Sequence, residues 1–318
     1  MTTYIIRRLI QSVFVFIIVT MTVFFAMRLL PGDPILVIMS PEEMGSVSDE
    51  QLTALRHEYG LDRPMMVQYI DWLSDVIRGD LGESLIYNTS VKGELLKRLP
   101  ITLHLGLLAI IISGFLGTLL GVISAVKRGR WLDTLVTIAA NLGITVPSFW
   151  LGILMVYIFA IYLGILPAQG YTSPFKDFII STKQIIMPVF CLTVFPLATV
   201  ARQTRSSMLE VMGQDYVRTA RSKGLKEGVI IFRHALKNAF IPIITLTGIV
   251  FRNVLGGAVI IETVFNIPGL GRLAVSGIIT HDYAFVQGVV LVMVTAVLLI
   301  NLVIDLTYGW LDPRIRYN

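Results

Sequence analysis

The chain has 318 residues, of which 55% are apolar and 15% charged, and its mean hydropathy is +0.76. That balance excludes a soluble globular domain and points to a polytopic helical membrane protein. The net charge of +5 does not by itself imply nucleic acid. In a membrane protein the placement of Lys and Arg matters more than their sum, and no nucleic-acid partner is expected.

Arg7 and Arg8 precede an apolar run from Leu9 to Leu30, long enough to cross a hydrocarbon core. No small-x-small cleavage site follows it, so the run reads as an uncleaved first span rather than a signal peptide. Pro31, Gly32 and Pro34 then stop the helix. The polar stretch to Pro100 holds a possible helix near Asp49 to Tyr59, with Ser48 as candidate cap, and an amphipathic piece near Val67 to Ile77. These suggest a small folded cap, in which Tyr69 and Trp72 either pack internally or rest at the membrane interface.

Span two covers Leu103 to Val126, where Gly117 and Gly121 have the small-xxx-small spacing of a close helix contact. Span three, Leu132 to Leu163, contains Pro147, which should kink or break it. Such a break marks either a substrate pathway or a packing kink. A short polar loop, 164 to 185, precedes span four, which runs from Ile186 past Pro188 and Pro196 to Arg202 and Arg205. Span five covers Phe240 to Ile261 and span six Phe285 to Leu306. The expected organisation is residues 1–98 as first span and extracytoplasmic segment, 99–308 as a five-helix core, and 309–318 as a tail.

Between spans four and five lies a basic loop, 206 to 238. From Glu210 onward it holds Arg218, Arg221, Lys223, Lys226, Arg233 and Lys237 against Glu210, Asp215 and Glu227. Its centre predicts a short helix with Asp215 as candidate N-cap, Gly224 as left-handed stop and Leu225 as the apolar residue beyond it. A compact helix with fixed ends can be gripped by another protein, although a loop that only sets topology would carry the same charges. The short loops place Lys127, Arg128, Arg130 and the eight basic residues from Arg202 to Lys237 on the side of both termini. By the positive-inside rule that side is cytoplasmic, and the 31 to 100 cap is extracytoplasmic.

No G-x-x-x-x-G-K-[ST] phosphate loop, H-E-x-x-H or G-x-S-x-G occurs, the four histidines are scattered, and the single Cys191 lies in an apolar run. Neither a catalytic set, a metal site nor a nucleotide site is expected. Charges inside spans are the default functional candidates. Arg252 and Asn253 fall near the middle of span five, Arg28 toward the outer end of span one, Glu262 at the outer end of span five and Asp305 near the inner end of span six. Arg252 belongs either to a pathway or gate or to a structural ion pair, with Glu262 or another subunit as partner. A lone central arginine cannot relay protons, which disfavours an ion-coupled secondary transporter.

Four stretches carry a resemblance. These are LLPGDPI at 29 to 35, the basic loop, IIETVFNIPGLGRL at 260 to 273 with HDY at 281 to 283, and LDPRIRY at 311 to 317. Together they resemble the transmembrane permease subunits of bacterial ABC importers, in the peptide and nickel branch. Arg218, Thr219, Ala220 and Gly224 align with that family's EAA loop; its glutamate and first alanine are replaced here, as the peptide branch commonly shows. The resemblance implies an all-α, type I importer fold of six helices in the bacterial inner membrane. It implies a second homologous permease, an extracytoplasmic binding protein and two cytoplasmic ATPases, with ATP and Mg bound by those ATPases. Asp215, Tyr216, Arg218, Ala220, Arg221, Gly224 and Leu225 would then be the coupling residues, and Pro147, Arg252, Asn253 and Glu262 the pathway candidates. The implied cargo is di- or oligopeptide, with nickel, a metal chelate or glutathione as alternatives.

Overall fold

We describe residues 2–29, 49–58, 60–84 and 86–311 of a computed structural model. The LDPRIRY motif beyond Leu311, the LLPGDPI motif beyond Leu29 and the candidate cap Ser48 lie outside the described residues. The chain divides into two compact units, Met1–Ile101 with Gly269–Leu299, and Thr102–Pro268 with Ile300–Asn318.

The first unit contains α1 (Thr2–Arg28), α2 (Asp49–Glu58), α3 (Met65–Arg78) and a two-residue antiparallel pairing of β1 (Glu83–Ser84) with β2 (Thr89–Ser90). It also takes the start of α4 (Val91–Val126), all of α11 (Leu270–Ile279) and most of α12 (Tyr283–Leu311). Val91, Leu95, Leu270, Leu273, Phe285 and Val289 form its core. Tyr69 is 5% exposed, and its hydroxyl lies 3.1 Å from Thr20 Oγ1 on α1. Its ring packs on Phe24 and Trp72 with centroids 5.5 and 6.1 Å away. The cap aromatics therefore anchor α3 to α1. Arg28 stacks over Phe24 and Tyr283, at 5.3 and 5.7 Å from the ring centroids.

In the second unit α7 (Phe178–Met212) is the central helix. Packed on it are α5 (Trp131–Thr145), α6 (Ser148–Met155) and α10 (Leu236–Val264). The expected loop at 164 to 185 is shorter than anticipated, because Asp177 caps α7 by accepting from Ile180 N–H at 2.9 Å and starts the helix at Phe178. Span four thus begins eight residues before Ile186, and it stays helical through Pro188 and Pro196. The Gly117 and Gly121 face packs on α7. A Cβ on Gly121 would lie 2.5 Å from Thr204 Cβ and 2.6 Å from the Ala201 carbonyl oxygen, so only glycine lets the two backbones meet there.

Among the described residues five helices are long and apolar enough to cross a membrane. α5 and α6, the latter extended by a π-helical stretch (Val156–Tyr162), are apolar enough to cross only as a pair, and the pair bends by 99° at its break; counted as one broken span, it makes the sixth. Span three is thus broken rather than kinked. Val146, ahead of the proline, adopts an extended ψ of 121°, and Pro147 follows at 133°; the proline ring excludes the helical conformation from the residue before it.

The signature stretch at 262 to 283 builds helix ends. Asn266 takes a left-handed φ of 51° at the end of α10, where Ile267 N–H bonds the Glu262 carbonyl at 2.8 Å. His281, with φ of 56°, ends α11 in the same way, with Asp282 N–H on the Gly277 carbonyl at 2.8 Å. Asp282 then caps α12 through Phe285 N–H and also accepts from Ser84 Oγ.

Candidate functional site

The basic loop contains α8 (Asp215–Ser222), α9 (Glu227–Val229) and a π-helical stretch (Ile230–Ala235) that continues into α10. Asp215 is the first residue of α8, not its cap. The cap position belongs to Gln214, whose extended backbone (ψ 151°) turns the chain out of α7. Asp215 instead sets a negative charge in the first turn, favourable to the helix dipole, and lies 3.7 Å from Arg218. The far end matches expectation. Gly224 has φ of +75°, its N–H donates to the Arg221 carbonyl at 2.9 Å, and Leu225 N–H donates to the Ala220 carbonyl at 3.3 Å. These two bonds close the helix around a left-handed residue.

One face of α8 points into the protein. Val217 and Ala220, three residues apart, pack on Ile230, with all three buried. Ala220 is therefore an anchor rather than a contact available to a partner. The chain itself covers its methyl group, through a π-helical residue that sequence spacing does not pair with it. Tyr216 is half exposed, and its hydroxyl accepts from Asn238 Nδ2 at 2.8 Å, which ties α8 to α10. Arg221 Nε donates to Glu227 Oε1 at 2.9 Å and steadies the turn into α9. Outward-facing positions are Tyr216, Arg218, Leu225 and, missed by sequence reasoning, Val229 and Phe232. The apolar run Val229, Ile230, Ile231 and Phe232 inside a basic interval was the signal for these two.

The pathway candidates fall into two groups. Pro147 and Asn253 come together and line a cavity of about 230 Å3 at the α5–α6 break, with Thr145, Ser148, Cys191 and Phe195. Arg252 is exposed beside them and forms no ion pair among the described residues. Glu262 is separate. It is fully buried and accepts from Thr102 Oγ1 at 2.6 Å. Ten residues of helix place it about 15 Å along α10 from Arg252, too far to be the ion-pair partner.

Sequence reasoning also missed a charge pair built on a buried carboxylate. Asp133 on α5 receives Arg205 Nε at 2.7 Å and Nη2 at 2.9 Å from α7, Ser124 Oγ at 2.5 Å and Gly129 N–H at 3.0 Å. Among the described residues no three His, Cys, Asp or Glu side chains converge as metal ligands.

Apolar helices of membrane-crossing length, a helix pair broken at Pro147 and a short basic helix between α7 and α10 define an integral membrane protein. Comparison with known proteins gives its family. Residues 117–317 match the family model "Binding-protein-dependent transport system inner membrane component", and residues 1–106 match the corresponding N-terminal model. The dipeptide transport system permease DppB of Alkalihalophilus pseudofirmus is 39% identical over 338 aligned residues, covering 100% of both chains. The di/tripeptide transport system permease DppB of Pseudomonas aeruginosa is 38% identical over 339, again covering 100% of both. Among solved structures, the inward-facing MetNI methionine ABC transporter superposes with a TM-score of 0.57 at 19% identity, covering 69% of this chain and 96% of that one. That likeness shows the fold, a type I ABC importer permease. The chain belongs to the inner membrane components of binding-protein-dependent transport systems.

Proposed function

We propose that this chain is a permease subunit of an ATP-driven importer of di- and oligopeptides, and that α8 is where partner ATPases deliver force. The chain pairs with a second homologous permease, an extracytoplasmic binding protein and two ATPases that hold ATP and Mg. Both termini and α8 face the cytoplasm in this reading, which the basic short loops support. The observation that carries the coupling role is the build of α8: set off from α7 by the extended Gln214, closed at Gly224, with one face fixed by Val217, Ala220 and Ile230 and the other open. A helix that only set topology would need none of this.

The pathway reading rests on α10. Its exposed positions, Thr245, Ile249, Arg252, Asn253, Gly256, Ile260 and Thr263, recur every three or four residues and form one stripe. A stripe carrying an arginine is costly against lipid, so it faces water or the second permease. Closure of the ATPases would push α8 and rock α7 and α10, opening the path outward. Full-length identity to the dipeptide and di/tripeptide permeases supports a peptide cargo. The test is uptake of labelled dipeptide against labelled nickel in vesicles holding the complete complex. Saturable, ATP-dependent dipeptide uptake is expected; nickel uptake without peptide uptake would overturn the cargo assignment.

A further inference from the structure

We propose that Asp133 and Arg205 are positioning residues that carry motion from α8 to the break at Pro147. This rests on α8 being the ATPase-docking helix. Arg205 meets both Asp133 oxygens in a two-pronged pair at 2.7 and 2.9 Å, a geometry that fixes direction as well as distance. Ser124 Oγ and Gly129 N–H complete the shell of a carboxylate whose side chain is only 8% exposed. The end of α4, the turn after it, the start of α5 and the last part of α7 are thereby joined at one point.

That point lies between the coupling helix and the break. Seven residues beyond Arg205, α7 ends and passes through Gly213 and Gln214 directly into α8. Met208 in this last stretch packs on Val122 and Ala125 of α4 and on Ala235 and Ala239 where α10 begins. In the other direction α5 leaves Asp133 and runs along α7 to Val146 and Pro147. Gly143 sits so close that a Cβ there would lie 3.0 Å from Ala198 Cβ. Between the pair and Gly143 the packing is open, with an apolar groove of about 650 Å3 running between α4, α5 and α7. Apolar contacts alone would let α5 slide there, whereas the guanidinium fork does not. Asp133 is buried while the Arg205 side chain is 32% exposed, so the pair is only partly desolvated; what it adds is direction, a two-pronged contact with a completed shell that holds one arrangement of α5 against α7.

The experiment uses vesicles holding the whole complex and reads labelled dipeptide imported per ATP hydrolysed, with both rates normalised to assembled protein. Asp133→Asn should lower that ratio by about fivefold or more, the lower end of coupling between linked sites, while hydrolysis continues. Arg205→Lys keeps the charge but loses the fork, and should give an intermediate ratio. If Asp133→Asn fails to assemble, Arg205→Lys decides alone. A wild-type ratio in the assembled variants, including proportional loss of uptake and hydrolysis, would reduce the pair to a structural brace and overturn the inference. Absence of ATP-driven dipeptide uptake in wild-type vesicles would instead overturn the functional reading, and this inference with it.

Discussion

Replacing Gly224 with valine should loosen the coupling helix without touching any membrane span. Gly224 holds φ of +75°, and nothing lies within 4 Å of where a Cβ would be, so the added side chain meets no clash. The penalty is conformational: a left-handed backbone costs an L-residue about 1–2 kcal/mol, with β-branched residues at the upper end. Helix α8 has eight residues, too few to be stable alone, so it depends on its end bonds and on Val217, Ala220 and Ile230. From a near-even balance of closed and open forms, a loss of that size lowers the docking-competent fraction roughly 3- to 15-fold, and the apparent Kd for the ATPase rises by the same factor. Titrating purified ATPase subunits against the permease in nanodiscs measures it directly. Gly224→Asn should be the mildest change, Gly224→Ala intermediate and Gly224→Val the most severe, following the tolerance of each residue for that backbone region. Equal affinity across the series would refute the left-handed stop as a determinant of docking.

Gly121→Ala should separate α4 from α7, because its methyl group would sit 2.5 Å from Thr204 Cβ. Overpacking of that kind costs about 1–3 kcal/mol, and a thermal melt in detergent should show a clear fall in Tm; an unchanged Tm would mean the two helices can shift apart freely. Thr102→Val removes a donor to the buried Glu262 carboxylate, a loss of about 1–3 kcal/mol, whereas Thr102→Ser should be close to neutral. Similar melts for the two variants would show that the bond adds nothing. Arg252→Ala should leave assembly intact but reduce dipeptide uptake or alter selectivity, and unchanged uptake kinetics would leave Arg252 without a pathway role.

Features that depend on local spacing were readable from the sequence. Five spans and a broken sixth, the Gly117 and Gly121 face, the proline interruption of span three and the Gly224 stop all follow from short-range patterns, and the described residues have five helices of spanning length, the bent α5–α6 pair and both glycine features. Features that need a distant partner were not. Asp133 and Arg205 are 72 positions apart, and each alone reads as an ordinary charge at a span end. Ala220 looked available because Ile230, which covers it, is brought back to it by the turn at Gly224 and the short α9, not by helical spacing. Pro147 announced a break but not its 99° angle, which the extended Val146 sets. The HDY motif resembled a signature without a mechanism. The fold supplies one, since His281 ends one helix and Asp282 caps the next.

The docking role of α8 can be tested by site-specific crosslinking in the assembled complex. The one native cysteine, Cys191, is buried, so a single introduced cysteine would be the accessible thiol. Leu225→Cys, on the outward side of the loop at 41% exposure, and Phe175→Cys, fully exposed in the loop before α7, make the comparison. A crosslink from position 225 to an ATPase subunit, and none from 175, is the expected result. A crosslink from 175 with none from 225 would contradict both the orientation and the docking of α8.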